Sequence, residues 1–212
     1  LPANLTTPVP AVVLVPGLNS GEHYITALAH RIAEGGLVAL VICVDRESCS
    51  YPEILAIVPA AISALSKRPE VDPQRLGIVG HDLGGDLAIR AASTDKQIKA
   101  VVALAPVLVD VPPSLDLLSE MPYLRALRWA RDRSRASLRA ELNAIACGTK
   151  LAPRPLLLLY GAEDRLVNKT PAEAWQAQQV ASLEVIEGAG HFDIVTHPTA
   201  SQALIQWLKE HL

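Results

Sequence analysis

Apolar runs of strand length recur along the chain: "AVVLV" at 11–15, "LVALVICV" at 37–44, "LGIV" at 76–79, "AVVALA" at 100–105, "LLLLY" at 156–160 and "LEVIE" at 183–187. Most lack the polar–apolar alternation of a strand with one wet face, so both faces must be covered, as they are in a parallel sheet flanked by helices. Segments with helical periodicity stand between the runs, at 22–34, 52–66, 83–94, 171–180 and 198–211. That alternation predicts an α/β fold, a doubly wound and mostly parallel sheet with helices on both faces. The opening "LPANLTTP" is expected to add one strand, paired antiparallel at an edge. Hydrophobic residues make up 50% of the 212 and aromatics only 4%. The core must therefore be aliphatic, and a single domain over 1–212 fits the length.

The rhythm breaks between about 107 and 153, where tandem prolines, Pro112 and Pro113, precede an arginine-rich helical stretch running from Arg125 to Arg139. An insertion after a strand end is where such folds build lids, so a small lid-like insertion is expected here. Its arginines either face water or meet an anionic substrate. The formal net charge of -3 leaves no electrostatic footprint for nucleic acid, and a small-molecule substrate is the expected partner. No apolar run is long enough to span a bilayer. Cys43, Cys49 and Cys147 lie in no metal-binding pattern, and free thiols in a reducing, cytoplasmic setting are expected. The chain starts at Leu1 rather than Met, as expected where preceding residues have been removed, with or without a targeting segment. Nothing in the sequence calls for a metal or organic cofactor, and it leaves the oligomeric state open.

"GIVGHDLGGDLAIRAA", residues 77–92, carries the chemistry. A strand meets a sharp turn and then a helix, with Gly80 and Gly84 two places either side of Asp82. This is the G-x-S-x-G nucleophile elbow with aspartate in place of serine. At the tip the side chain stands over the sheet edge, and the N–H of Leu83, at a helix N-terminus, is aimed to stabilise an oxyanion. The N–H of Leu18, in the loop after the first strand, is the expected second donor. The plainer alternative makes Asp82 a helix N-cap, and makes Asp86, one turn later, a first-turn acid that favours the helix dipole. Asp164 follows the "LLLLY" strand and His191 follows "LEVIEGAG". Both are expected at carboxyl ends of parallel strands, where such sheets bind ligands.

"VDPQRLGIVGHDLGG", "PLLLLYGAEDRLV" and "EGAGHFD" resemble the α/β-hydrolase superfamily, most of all its small dienelactone-hydrolase-like members. The resemblance covers nearly the whole chain. It implies an eight-stranded sheet short of one or two leading strands, and a catalytic triad of Asp82, Asp164 and His191. Pro16 stands where many relatives have histidine. Aspartate at the tip resembles the G-H-D elbow of epoxide hydrolases and haloalkane dehalogenases, although Leu83 replaces the tryptophan with which the latter grip halide. That resemblance implies a covalent mechanism: Asp82 attacks an epoxide or alkyl halide carbon, and His191 activates the water that hydrolyses the alkyl-enzyme ester. Tyr123 in the insertion is the candidate that protonates an opening epoxide. Two alternatives stand beside this expectation. One is a dienelactone-hydrolase-like ester or lactone hydrolase, with Asp82 in the serine position or acting as a base toward water. The other is a binding module that kept the fold without the chemistry.

Overall fold

The computed structural model describes residues 1–3, 5–17, 22–43, 51–108 and 144–212. Its elements run β1 (Val9–Val15), α1 (Glu22–Glu34), β2 (Val38–Val41), α2 (Tyr51–Ser66), β3 (Val71–His81), α3 (Leu83–Thr94), β4 (Ile98–Leu104), α4 (Ile145–Gly148), β5 (Leu156–Gly161), α5 (Thr170–Ala177), β6 (Ser182–Ile186) and α6 (Pro198–His211). A short 3₁₀ turn, Asp193–Val195, precedes α6. The six strands form one sheet in the order β2-β1-β3-β4-β5-β6, with every neighbouring pair parallel.

Ala11 to Val15, Ile78, Val79, Ala103, Leu104 and Leu157 to Tyr160 are fully buried, which explains why these strands read as unbroken apolar runs. The edge strands are less enclosed: β6 keeps Val185 at 39% exposure, and β2 is only half-buried after Val38. The crossovers between parallel strands carry the helices that cover the sheet. Helix α1 packs with α6, while α2 and α3 pack together against β1, β3 and β4.

Two expectations at the strand level need correction. No strand forms over residues 1–3 and 5–8; the chain enters the sheet at Val9. Pro2 and Pro8 supply no N–H, and Thr6 and Thr7 lie in a bend, so this segment cannot sustain a ladder. The strand expected at 76–79 begins instead at Val71, because Val71 pairs with Val9 before the register shifts near Leu76. The turn-like "DPQR" is absorbed as an irregular strand start, where Asp72 Oδ1 accepts the Gln74 N–H at 2.9 Å and Oδ2 accepts from Arg75 at 2.8 Å.

Strand order reverses at β1. The chain moves outward to β2 and then returns to lay β3 on the other side of β1. The crevice beyond the carboxyl ends of β1 and β3 is where an open sheet of this kind binds ligands. Of the expected lid over 107–153, residues 109–143 lie outside the described residues. Its base is described: a turn at 105–108, and α4 on the return. Among the described residues no helix is long and apolar enough to cross a membrane. Cys43 and Cys147 carry free thiols, and Cys49 lies outside the described residues.

Candidate active site

Strand β3 ends at His81 and α3 starts at Leu83, so the direction change falls on Asp82 alone. Its backbone sits at φ 55, ψ -130, a region that L-residues enter only when the surroundings hold them there. The Asp82 N–H donates to Leu104 O at 3.0 Å, and Asp82 O accepts the Gly85 N–H at 2.9 Å. The flanking glycines make the bend passable. A Cβ at Gly80 would collide with the Gly84 carbonyl, and one at Gly84 with the carbonyls of Val15 and Pro16. Asp82 occupies the N-cap position of α3 but makes no side-chain capping bond. The N-cap alternative therefore does not account for the carboxylate, which is 3% exposed.

The fold brings Asp164 and His191 to the same edge. Asp164 follows β5, and its Oδ1 accepts the N–H groups of Leu166 at 2.8 Å and Val167 at 3.1 Å. Its Oδ2 lies 2.9 Å from His191 Nδ1. His191 follows β6 on a loop that turns at Gly188, φ 72, and is braced by the Gly190 N–H to Asp193 Oδ1 at 2.8 Å. On its other side the imidazole presents Nε2 to Asp82 Oδ1 at 3.6 Å. The ring is thus held between two carboxylates.

Electrostatics follow from that arrangement. Burial alone would favour neutral imidazole, but the hydrogen bond to Asp164 and the charge of Asp82 outweigh it and raise the His191 pKa to about 9. Burial likewise works against the Asp164 carboxylate, yet its bonds from His191, Leu166 and Val167 hold its pKa below the ordinary value. The imidazolium form of His191 is therefore the favoured one at neutral pH.

Asp86 lies in the first turn of α3, as expected of an acid that favours the helix dipole, and it also has specific backbone partners. It is fully buried, and its two oxygens accept the N–H groups of Val107 at 3.2 Å and Leu108 at 3.0 Å. Burial, with the neighbouring Asp82 charge acting the same way, pushes its pKa well above the ordinary carboxylate value, against those two bonds. Tyr160, from β5, donates its hydroxyl to Pro106 O at 2.7 Å. Together they pin a turn in which Ala105 and Leu108 have φ 43 and 48, beside the strand end that receives the Asp82 N–H.

Leu18, the second oxyanion donor expected, lies outside the described residues, as do Tyr123 and the arginines from Arg125 to Arg139. The Leu83 N–H, first of α3, has no acceptor among the described residues. No group of three or more His, Cys, Asp or Glu side chains among them is placed to hold a metal.

The model of the PET hydrolase-like family matches residues 1–111, just over half of the 212. The chain belongs to that family. The match includes the elbow and Asp82 but neither Asp164 nor His191. Bis(hydroxyethyl) terephthalate hydrolase of Streptomyces coelicolor is 30% identical over 100 residues, 45% of this chain and 32% of that protein. Cutinase 1 of Thermobifida cellulosilytica is 31% identical over 102 residues, 45% of this chain and 39% of that protein. The matches thus span only about a third of the curated relatives' length. Among solved structures, Est1E from Butyrivibrio proteoclasticus superposes with a TM-score of 0.74 at 19% identity, covering 99% of this chain and 91% of that one. A putative dienelactone hydrolase from Klebsiella pneumoniae gives 0.67 at 21% identity, covering 99% and 90%. These likenesses establish the α/β-hydrolase fold.

Two substitutions check this account of the site. Gly80→Ala should lower the unfolding free energy by about 1–3 kcal/mol or more in urea titration, because backbone rather than a flexible side chain meets the new methyl group. Asp86→Asn should cost about 1–3 kcal/mol, since one of the two N–H groups would then face an amide donor.

Proposed function

We propose that the chain hydrolyses carboxylic esters or lactones, with water rather than the elbow side chain as the attacking group. The observation that carries this reading is Asp82 Oδ1 at 3.6 Å from His191 Nε2, an acid–base pair in a chain whose relatives include proteins named as a bis(hydroxyethyl) terephthalate hydrolase and a cutinase. A carboxylate attacking an ester carbonyl would form an anhydride, more reactive than the ester it came from, so covalent attack is uphill for this substrate class.

Water meets no such obstacle. Asp82 removes a proton from a water molecule as its oxygen bonds to the carbonyl carbon, and the oxyanion is received by the Leu83 N–H. The C–O bond to the alcohol then breaks as His191 Nε2 gives its proton to the departing alkoxide. The proton held by Asp82 returns to His191, and ester plus water has become acid plus alcohol. Asp164 keeps the imidazole oriented throughout and stabilises its charged form. Leu18, Tyr123 and the lid over 107–153 enter this proposal only as the second oxyanion donor and as the segment that selects the substrate.

A second reading is favoured by the carboxylate itself. At saturated carbon, Asp82 can displace an epoxide oxygen or a halide, leaving an alkyl ester on Asp82. Esterification would cancel the Asp82 charge, remove one of the two influences raising the His191 pKa, and so turn the imidazole into a base for the second step.

Single-turnover reactions in ¹⁸O water separate the two. With p-nitrophenyl acetate and bis(hydroxyethyl) terephthalate we expect cleavage with label in the product acid and none in the peptide containing Asp82. Label in Asp82, or no cleavage of either ester, would overturn the water mechanism. Asp82→Asn and His191→Ala should each reduce kcat by about 10²–10⁴-fold. The pH profile has a set direction. His191 must be protonated to act as the acid, so kcat should fall as pH rises through about 9; a rate that climbs through that range in steady-state assays would contradict this assignment.

A further inference from the structure

His81 takes no part in the chemistry above, yet it is 1% exposed and stands immediately before Asp82. Its Nε2 lies 2.8 Å from the backbone oxygen of His191. A carbonyl can only accept, so Nε2 carries the proton. Burial lowers the His81 pKa and keeps the ring neutral at neutral pH, so it adds no cation beside His191.

The loop around His191 has several fastenings. Gly190 N–H is held by Asp193, Ala189 O accepts from Glu163 N at 3.0 Å, and Gly190 O accepts from Ile194 N at 3.3 Å. The carbonyl of His191 itself has His81 as its hydrogen-bond donor among the described residues. The two rings lie 5.2 Å apart and tilted by 45°, and Phe192 closes the group edge-on to His191 at 4.9 Å. Because His81 and Asp82 are consecutive, one strand end supplies both the elbow carboxylate and the group that locates the histidine opposite it.

We propose that His81 is a positioning residue: its Nε2–H holds the His191 carbonyl and thereby sets the imidazole at its working distance from Asp82. This rests on the acid–base role proposed for His191. The charged groups facing that imidazole are Asp82 from the elbow and Asp164 from the loop after β5, while Asp193 is engaged with Gly190 and Asp86 with Val107 and Leu108. Losing the His81 bond would leave a buried carbonyl unpaired and free the ring to shift relative to both partners.

The test compares His81→Gln, whose amide N–H reaches the place of Nε2, with His81→Phe and His81→Leu, which fill space without a donor. Two quantities are read on the full chain: kcat and KM for p-nitrophenyl acetate, and the titration midpoint of His191 by NMR. The Phe and Leu variants should lose up to about 10²-fold in kcat with KM little changed, the scale of an ångström-size misplacement, and their His191 midpoint should fall from about 9. The Gln variant should recover most of both. Wild-type kcat and midpoint in a folded Phe or Leu variant would overturn the inference, as would a folded Gln variant that recovers neither. If neither non-donating variant folds, the Gln variant decides by the same criterion. If the wild-type chain cleaves no ester, the function proposed above fails while the NMR comparison still decides the role of His81.

Discussion

The left-handed backbone at Asp82 is the constraint on which the rest of the site depends. A residue at φ 55 between a strand and a helix is tolerable only where nothing larger than hydrogen stands at Gly80 and Gly84, because the Gly84, Val15 and Pro16 carbonyls occupy the space a Cβ would need. That strain places the carboxylate over the crevice between β1 and β3 and leaves the Leu83 N–H pointing from the start of α3. Any side chain at the tip would be delivered to the same place. The backbone therefore supplies position, and residue 82 supplies reactivity.

Reactivity then turns on one imidazole between two carboxylates. Asp164 is committed by two backbone N–H groups and the 2.9 Å contact to Nδ1, whereas Asp82 holds Nε2 at 3.6 Å, beyond ordinary hydrogen-bond length. The nearer partner fixes orientation, and the farther one leaves its oxygens available to water or substrate. A serine hydroxyl would share a proton with neutral imidazole; a carboxylate stabilises the imidazolium. In the reaction proposed above, the same scaffold serves acid catalysis rather than activation of a hydroxyl nucleophile.

A second buried carboxyl, Asp86, works on the backbone rather than on substrate. With Tyr160 it holds the 105–108 turn, in which two non-glycine residues have positive φ, next to the strand end that accepts the Asp82 N–H. His81 works similarly on the His191 loop. Both lie on α3 or β3, so the elements that form the elbow also brace the two loops beside it.

Sequence alone determined the strand and helix pattern, the elbow, and the order of Asp82, Asp164 and His191. Apolar runs, glycine spacing and strand ends are local properties that survive without knowledge of the fold, and most element bounds fall within a residue or two of those read from the sequence. The misjudged segments are ones whose state depends on a distant partner. Val71 joins β3 because Val9 lies beside it, and residues 1–3 and 5–8 find no partner strand. Tertiary structure alone decided that Asp86 is buried beneath a turn some twenty residues away, and that His81 meets the carbonyl of a residue 110 positions on. A buried aspartate in a helix, or a histidine ahead of an elbow, gives no local sign of its partner; only the packing of the sheet brings the two together.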